Sequence, residues 1–458
     1  MGNQLDREHP LQLAAADRGN GMANLKHMTS MNILLINHYA GSIHHGMEYR
    51  PYYLAREWVR AGHRVHIVAA SHSHLRRQGP SMAGRSLLSE DIDGIHYTWL
   101  RTPAYAGNGA GRVRNMLAFV ARLWREAPRL AQAFAPQAVI ASSTYPLDIW
   151  PAHRIARLAG ARLLHEVHDL WPLSPMELGG HSRHHPFIML LQAAENHACR
   201  HADAIVSILP RVRKHLEARG MAPHKLHLIP NGVDPDEWPA GGTPPHADAP
   251  CRGQDPSAAA AVLALLGRLR AEGRTIVGYA GSHGLANALD TLLDAAHLLR
   301  QRPLAFVLVG AGPEKDRLRR QARSLGLDHV HFVDPVPKRA IPALLARFDI
   351  AFLGWRRQPL YRFGIAPNKL LDYMMAGCPV LHAVEAGNDP VAETGCGVSV
   401  APDDPAALAE GLARLMALDP RTRRALGERG RRHVLDHLSY PVLARRFLAV
   451  LAPETHHA

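Results

Sequence analysis

Short apolar runs alternate with helical stretches in two successive series, and this alternation constrains the chain more than any other feature. Residues 32–38 read as a buried strand, a loop containing Gly41 and Gly46 follows, residues 51–61 read as a helix, and Gly62 leads into a second strand at 64–69. Such a strand–helix–strand unit implies a parallel sheet, because a parallel return needs a crossover long enough to hold a helix. The pattern recurs with a strand at 138–141, a helix at 149–159 and a strand at 161–167, and a strand at 204–209 closes the series. Residues 177–185 read as an irregular loop. A stretch rich in Pro, Gly and Ala runs from Ala240 to Gln254, and the alanine-rich run after it predicts a surface helix. The second series places strands at 275–280, 305–309, 329–333, 350–352 and 379–383.

At 458 residues the chain is too long for one small core. Two doubly wound α/β domains facing each other fit it better than a single enlarged sheet. The expected division is a leader at 1–30, a first domain at 31–222, a second at 223–435 with an insertion near 240–265, and a helix within 436–458 that returns to the first domain.

The 53 Lys and Arg outnumber the 40 Asp and Glu by 13, which favours an anionic partner: nucleic acid, a membrane face or an anionic substrate. Arginines are spread through helical stretches such as 112–129 and 421–432 without a zinc-finger or RNP-like context, so no specific nucleic acid is expected. No run approaches 18 apolar residues, which argues against a spanning helix, and residues 1–30 lack the apolar core of a secretory signal. Cys199, Cys251, Cys378 and Cys396 show no CxxC spacing and read as separate thiols of a reducing compartment. The 31 histidines form neither HExxH nor a compact cluster with Cys or Asp, so no metal site is expected.

In doubly wound sheets, ligands bind beyond the carboxyl ends of the strands. There the chain places Gly41, Ser42, His44, His45, Gly46 and Glu48, then His168, Asp169 and Trp171, then Gly281-Ser282-His283-Gly284 and Gly310-Ala311-Gly312-Pro313. Gly281 to Gly284 can aim backbone N–H groups at an anion near the start of the helix through Leu292, although a purely structural turn would look the same. Neither glycine loop completes GxGxxG and no GxxxxGK[ST] is present, which weighs against hydride transfer and nucleoside triphosphate hydrolysis. Further on, Pro367 opens a helix that carries Lys369 and Asp372 one turn apart, and Gly377 ends it. A cation and a carboxylate beside a glycine loop suit a ligand with both phosphate and ribose hydroxyls. In His165-Glu166-Val167-His168-Asp169, strand alternation puts Glu166 and His168 on one face. A hydrogen-bonded structural cluster is the competing reading there, more so for His165 than for His168 and Asp169.

Together with Ile229-Pro230-Asn231-Gly232-Val233-Asp234 and Pro367-Asn368-Lys369-Leu370-Leu371-Asp372-Tyr373-Met374, these motifs occur in an order that resembles the retaining glycosyltransferases of family 4. More closely, the chain resembles the branch of bacterial cell-envelope polysaccharide transferases that includes N-acetyl-fucosamine transferases. The resemblance runs from about Met31 to Leu451. It implies a GT-B fold and a UDP-sugar donor as substrate, with no cofactor required. It implies that Gly281, Ser282, Gly284, Gly310, Lys369 and Asp372 hold the donor, Asp372 through the ribose hydroxyls. It makes His168 and Asp169 the catalytic candidates, orienting the sugar and stabilising positive charge that develops near its ring. Gly41 and Gly46 would let the first loop approach the sugar, and Glu48 and Arg50 would place the acceptor. That acceptor would be a saccharide or a polyprenyl-diphosphate-linked saccharide, met by a cytoplasmic protein in peripheral contact with an anionic membrane.

The sequence departs from that family in two places. Family members carry a pair of glutamates where Gly364 and Asp372 stand here, and many carry Arg and Lys where Ser282 and approximately Asn287 stand, which leaves Arg357 and Arg362 as further cation candidates. Gly364 and Ser282 keep two alternatives open: a nucleotide-sugar epimerase on the same scaffold, and an envelope-assembly scaffold without turnover.

Overall fold

A computed structural model of the protein describes residues 30–107, 109–238 and 256–452. The expected leader, apart from Ser30, and the Pro/Gly/Ala-rich stretch at 239–255 lie outside the described residues. Fourteen described strands form two sheets: β1 Asn32–Ile36, β2 Arg64–Ala70, β3 Leu87–Ile92, β4 Ile95–Leu100, β5 Ala138–Ala141, β6 Arg162–Val167, β7 Ala204–Ser207 and β8 Leu226–Leu228 in the first, and β9 Thr275–Ala280, β10 Leu304–Val309, β11 Val330–Val333, β12 Ile350–Gly354, β13 Val380–Ala383 and β14 Gly397–Ser399 in the second. The first runs in the order β3-β4-β2-β1-β5-β6-β7-β8 and the second β11-β10-β9-β12-β13-β14. All neighbours are parallel except β3 and β4.

Central strands such as Leu304–Val309 are buried along their whole length, as expected where helices cover both faces of a parallel sheet. The antiparallel pair β3/β4 was not anticipated. Asp93 and Gly94 both adopt positive φ, 51° and 78°, and turn the chain back in two residues.

Two expected boundaries move. The first domain does not end at 222: β8 adds to its sheet, and Ile229 N–H still donates to the Ser207 carbonyl. A three-residue strand carries too little periodicity to read, and the chain crosses to the second half only after it. The alanine-rich helix Pro256–Ala271 is also not a surface insertion, since its Val262, Leu266 and Leu269 are buried in the second core with Ile276 and Phe348.

The helix Tyr440–Leu451 packs on the helix Arg50–Arg60 of the first half, with Tyr53 and Tyr440 stacked at 4.8 Å and Trp58 Nε1 donating to the Ala444 carbonyl at 3.2 Å. The fully buried Trp58 and Phe447 alone account for several kcal/mol at about 1.5–3 kcal/mol per large apolar side chain. The two chain crossings are tied together, because Val233 N–H donates to the Leu438 carbonyl and the Val233 carbonyl accepts from Tyr440 N–H. A Cβ on Gly232 would lie 2.6 Å from Leu443 and 2.8 Å from the Leu438 carbonyl, so this junction requires glycine. Among the described residues no helix is long and apolar enough to cross a membrane. Cys199, Cys378 and Cys396 are free and buried, and Cys251 lies outside the described residues.

Candidate active site

The carboxyl ends of β9 and β10 lie against each other through glycine. Gly281 N–H donates to Val309 O and Gly310 N–H to Val333 O, and a Cβ on Gly310 would stand 1.9 Å from the Gly281 carbonyl. A Cβ on Gly281 would meet the Lys369 side chain at 2.6 Å. Lys369, on the helix Asn368–Met375, donates to the Tyr279 hydroxyl at 2.8 Å and to Asn287 Oδ1 at 3.1 Å, with its ammonium 4.2 Å from the Tyr279 ring centre. Its acceptors are neutral, and burial brings its amine down to about 7.

Asp372 lies one turn along the same helix. It is half-buried, its side chain makes no hydrogen bond or ion pair among the described residues, and burial pushes its carboxyl up to about 7, against a downward pull from Lys338. The two residues singled out from this motif are therefore brought together as two underused charges.

The rest of the loop differs from expectation. The Ser282 carbonyl accepts from the Tyr279 hydroxyl at 2.6 Å and from Asn287 Nδ2 at 3.0 Å, so its oxygen faces the protein. Gly284 does not cap the following helix: a 3₁₀ turn at Leu285–Asn287 intervenes, and Leu289–Leu298 starts after Ala288. The helix field at Gly284 is correspondingly weaker. Lys315, which sequence reasoning missed, lies beneath the loop and donates to Gly310 O, Val333 O and Asp334 Oδ1 at 2.7, 2.9 and 2.7 Å. It braces the glycine loop from within.

Arg357 and Arg362 are not free cations for a phosphate. Arg357 pairs with Glu385 at 2.9 Å, and Arg362 forms a two-pronged pair with Glu177 of the first half at 2.8 and 2.6 Å. The second pair belongs to a seam where Arg211 N–H donates to Phe363 O and Arg211 Nε to Gly387 O. Gly364 lies in that seam at φ 92°, where a Cβ would stand 2.5 Å from Pro210. The backbone conformation and Pro210 together leave no room for an acidic side chain at this position.

In the first half, the loop from Gly41 to Glu48 closes on itself. Gly41 N–H donates to Glu48 O, Ser42 and Gly46 exchange backbone hydrogen bonds, and a Cβ on Gly41 would fall 1.8 Å from Gly46 O. Gly46, at φ 93°, also bridges to Arg76. His45 is buried, bonded to Ser42 Oγ at 2.9 Å, while His44 is exposed. Glu48 is half-buried.

Arg50 does not place an acceptor, because it is 1% exposed. Its Nε and Nη2 donate to Glu166 Oε1 at 3.0 and 2.9 Å, and its Nη groups donate to the carbonyls of Ile229 and Pro230. The other carboxylate oxygen, Oε2, accepts from Ser142 Oγ at 2.6 Å and stands 3.2 Å from His168 Nε2. Burial alone would raise the Glu166 carboxyl, but the charge of Arg50, together with the hydrogen bonds from His168 and Ser142, outweighs it and holds the carboxyl below the usual carboxylate range. Asp169 is spent on its own loop, accepting from Leu170 N–H, Ser174 Oγ and Trp171 Nε1 at 2.8, 2.5 and 3.2 Å. Of the two catalytic candidates, His168 alone is left with an unpaired ring edge, since no hydrogen bond engages its Nδ1 among the described residues.

The halves also meet at Tyr53, whose hydroxyl bonds to Glu237 and accepts from Lys338 Nζ at 2.5 Å. Lys338 donates to Glu237 at 2.6 Å and is the charge that pulls on Asp372. Among the described residues no group of three or more His, Cys, Asp or Glu could hold a metal ion.

Comparison with known proteins agrees with this geometry. Residues 44–237 match the family model "Glycosyltransferase Family 4", and residues 274–417 match "Glycosyl transferases group 1". WcaI of Escherichia coli (strain K12), named for a colanic acid biosynthesis glycosyl transferase, is 26% identical over 271 residues, 58% of this chain and 62% of that protein. WbjE of Pseudomonas aeruginosa, named as a glycosyltransferase, is 23% identical over 286 residues, 61% of this chain and 66% of that protein. The chain thus aligns with just under two thirds of the length of each of these relatives. Among solved structures, Anabaena Alr3699/HepE in complex with UDP and glucose superposes with a TM-score of 0.61 at 17% identity, covering 92% of this chain and 99% of that one. Likeness at that identity establishes the fold: two Rossmann-like α/β domains about a cleft.

Proposed function

We infer that the chain is a GT-B glycosyltransferase and propose that it transfers a sugar from a UDP-sugar to an envelope polysaccharide or polyprenyl-diphosphate-linked acceptor, with retention at the anomeric carbon. The observation that carries the reading is the pair Lys369 and Asp372: a half-buried amine and a half-buried carboxyl, each moved to about 7 and neither in an ion pair among the described residues. A donor with a diphosphate and ribose hydroxyls supplies the missing partners of both. The Alr3699/HepE structure, which holds UDP in the same fold, supports that choice of ligand.

Developing negative charge on the departing diphosphate meets Lys369 and the backbone N–H groups of Ser282 and Gly284, the N–H of Gly281 being spent on Val309, and donors already in place lower the barrier. The departing phosphate takes the acceptor proton, so no separate protein base is needed. His168 faces the positive charge that develops at the sugar ring. N-acetylated amino sugars are the first donors to try, on the resemblance to N-acetyl-fucosamine transferases. The excess of positive charge, with arginines along the first half such as Arg60, Arg64 and Arg77, suits an acceptor presented at an anionic membrane face.

A screen of UDP-sugars against lipid-linked and free saccharide acceptors, with product linkage read by NMR, tests the proposal. Formation of a glycoside of retained configuration is the expected result. A changed free nucleotide sugar would assign epimerisation instead, and nucleotide binding without either product would assign a scaffold.

A further inference from the structure

We propose that Glu166 is a positioning residue that, with Ser142, holds the ring proton of His168 on Nε2 and so gives the cleft an acceptor nitrogen at Nδ1. The inference rests on the transfer reading for its consequence but not for its geometry.

The proton inventory leads to the tautomer. Ser142 Oγ has one proton, and it is used on Glu166 Oε2, 2.6 Å away. The same oxygen accepts from Asn37 Nδ2 at 3.2 Å and stands 3.1 Å from His168 Nε2. With its only proton committed, Ser142 can meet Nε2 only as an acceptor. Glu166 Oε2, 3.2 Å from the same nitrogen, is also acceptor-only while the carboxylate is ionised, and Arg50 keeps it ionised. Two acceptors therefore converge on Nε2, and a neutral imidazole meets them only with its proton there. Nδ1 is left with its lone pair and no hydrogen bond among the described residues.

The sign of that edge matters for transfer. A lone pair facing a sugar ring that gains positive charge is attractive, and it can also accept from a sugar hydroxyl. The other tautomer would present an N–H dipole to the same charge, which is repulsive. Glu166 touches no substrate and acts only through His168.

Glu166→Gln tests this, because a glutamine amide can donate to Nε2 and so favours the opposite tautomer. Two-bond ¹⁵N–¹H correlation spectra of histidine-labelled protein, with His168 assigned by its loss in His168→Gln, report the tautomer without any turnover. The expected spectrum shows Nε2–H in the parent and Nδ1–H in the variant. With the donor and acceptor identified in the screen, kcat should fall about 10- to 100-fold, as for loss of a hydrogen bond realised in the transition state, while the UDP Kd changes less than twofold. If Glu166→Gln does not fold because Arg50 is left unpaired, the double variant Arg50→Gln/Glu166→Gln removes both buried charges and takes its place. A folded variant that keeps the Nε2–H signature, or one that switches tautomer with unchanged kcat, overturns the proposal. A parent that transfers no sugar defeats the transfer reading, whereas the parent spectrum decides the tautomer in either case.

Discussion

Glu166 in the first half and Asp372 in the second are both carboxylates held out of water near the cleft-facing end of a sheet, yet the protein moves them in opposite directions. Glu166 has Arg50, Ser142 and His168 around it and is held below the usual range. Asp372 has only the more distant pull of Lys338 and rises to about 7. Lys369 repeats the second pattern with the opposite charge. The first half is thus preorganised by its own partners, and the second carries uncompensated desolvation that a charged ligand relieves. A buried group with partners supports the fold, while one without them is a cost that binding recovers.

The largest expected effect separates the halves by stability. Arg50→Met strands the Glu166 carboxylate, and breaking a buried pair on one side costs about 3–5 kcal/mol. Urea unfolding should show that loss as a lower midpoint. Lys369→Met removes a desolvated amine that has no ionic partner, and its midpoint should equal or exceed the parent's. Equal losses in the two variants would erase the contrast.

Much of this was legible, and the misses share a cause. Strand β9 reads off the sequence with its observed ends, because strands buried on both faces are continuous apolar runs bounded by polar turns. The hairpin β3/β4 was missed although Asp93-Gly94 is a two-residue turn signal, since the expectation was of parallel units throughout. Lys369 and Asp372 could be found because one helical turn brings them together. Arg50 and Glu166 lie 116 positions apart in the chain, and no local pattern announces that their side chains meet. For Gly364 the motif suggested a missing acid, but the reason for its absence is Pro210, again a tertiary neighbour.

Next in size is the ribose contact. Asp372→Ala should weaken UDP binding by about 1.5–3 kcal/mol, the range for a charge-assisted hydrogen bond. The fold should not suffer. Because the folded carboxyl titrates above its unfolded value, its ionisation opposes folding: the native state is favoured below about pH 4, and that advantage is lost as pH rises towards 7. Removing the group therefore flattens this part of the stability profile. Calorimetry that finds parent UDP affinity in folded Asp372→Ala would detach Asp372 from the donor.

The pH dependence of donor binding is expected to be smaller near neutrality and has two limbs. Binding needs Asp372 ionised and Lys369 protonated, and both titrate at about 7 in the free protein. Affinity for a UDP-sugar should peak near pH 7 and fall about tenfold per unit, about 1.4 kcal/mol, once well to either side. Asp372→Asn should remove the acid limb and Lys369→Met the alkaline one. An affinity flat from pH 6 to 8 would show that the second half is already compensated, as the first is.

The smallest effect tests where the two halves touch. Arg362 and Glu177 form a two-pronged pair across the seam, but Arg362 is about half exposed, and such surface pairs contribute about 0–1 kcal/mol. Arg362→Ala should therefore leave the urea midpoint nearly unchanged. Its effect should fall on the geometry between halves, because Arg211 and Gly364 then hold this side of the cleft with backbone contacts and packing against Pro210 alone. Small-angle scattering should show a slightly larger radius of gyration at low salt for the variant, with the difference shrinking as salt screens the parent's pair. Donor binding separates the outcomes further: UDP is held by the second half, so its Kd should stay within about twofold, a change of less than about 0.5 kcal/mol. A large loss of UDP affinity in Arg362→Ala would mean that this arginine leaves Glu177 to meet the diphosphate, and the cation missing at Ser282 would then be supplied from the seam.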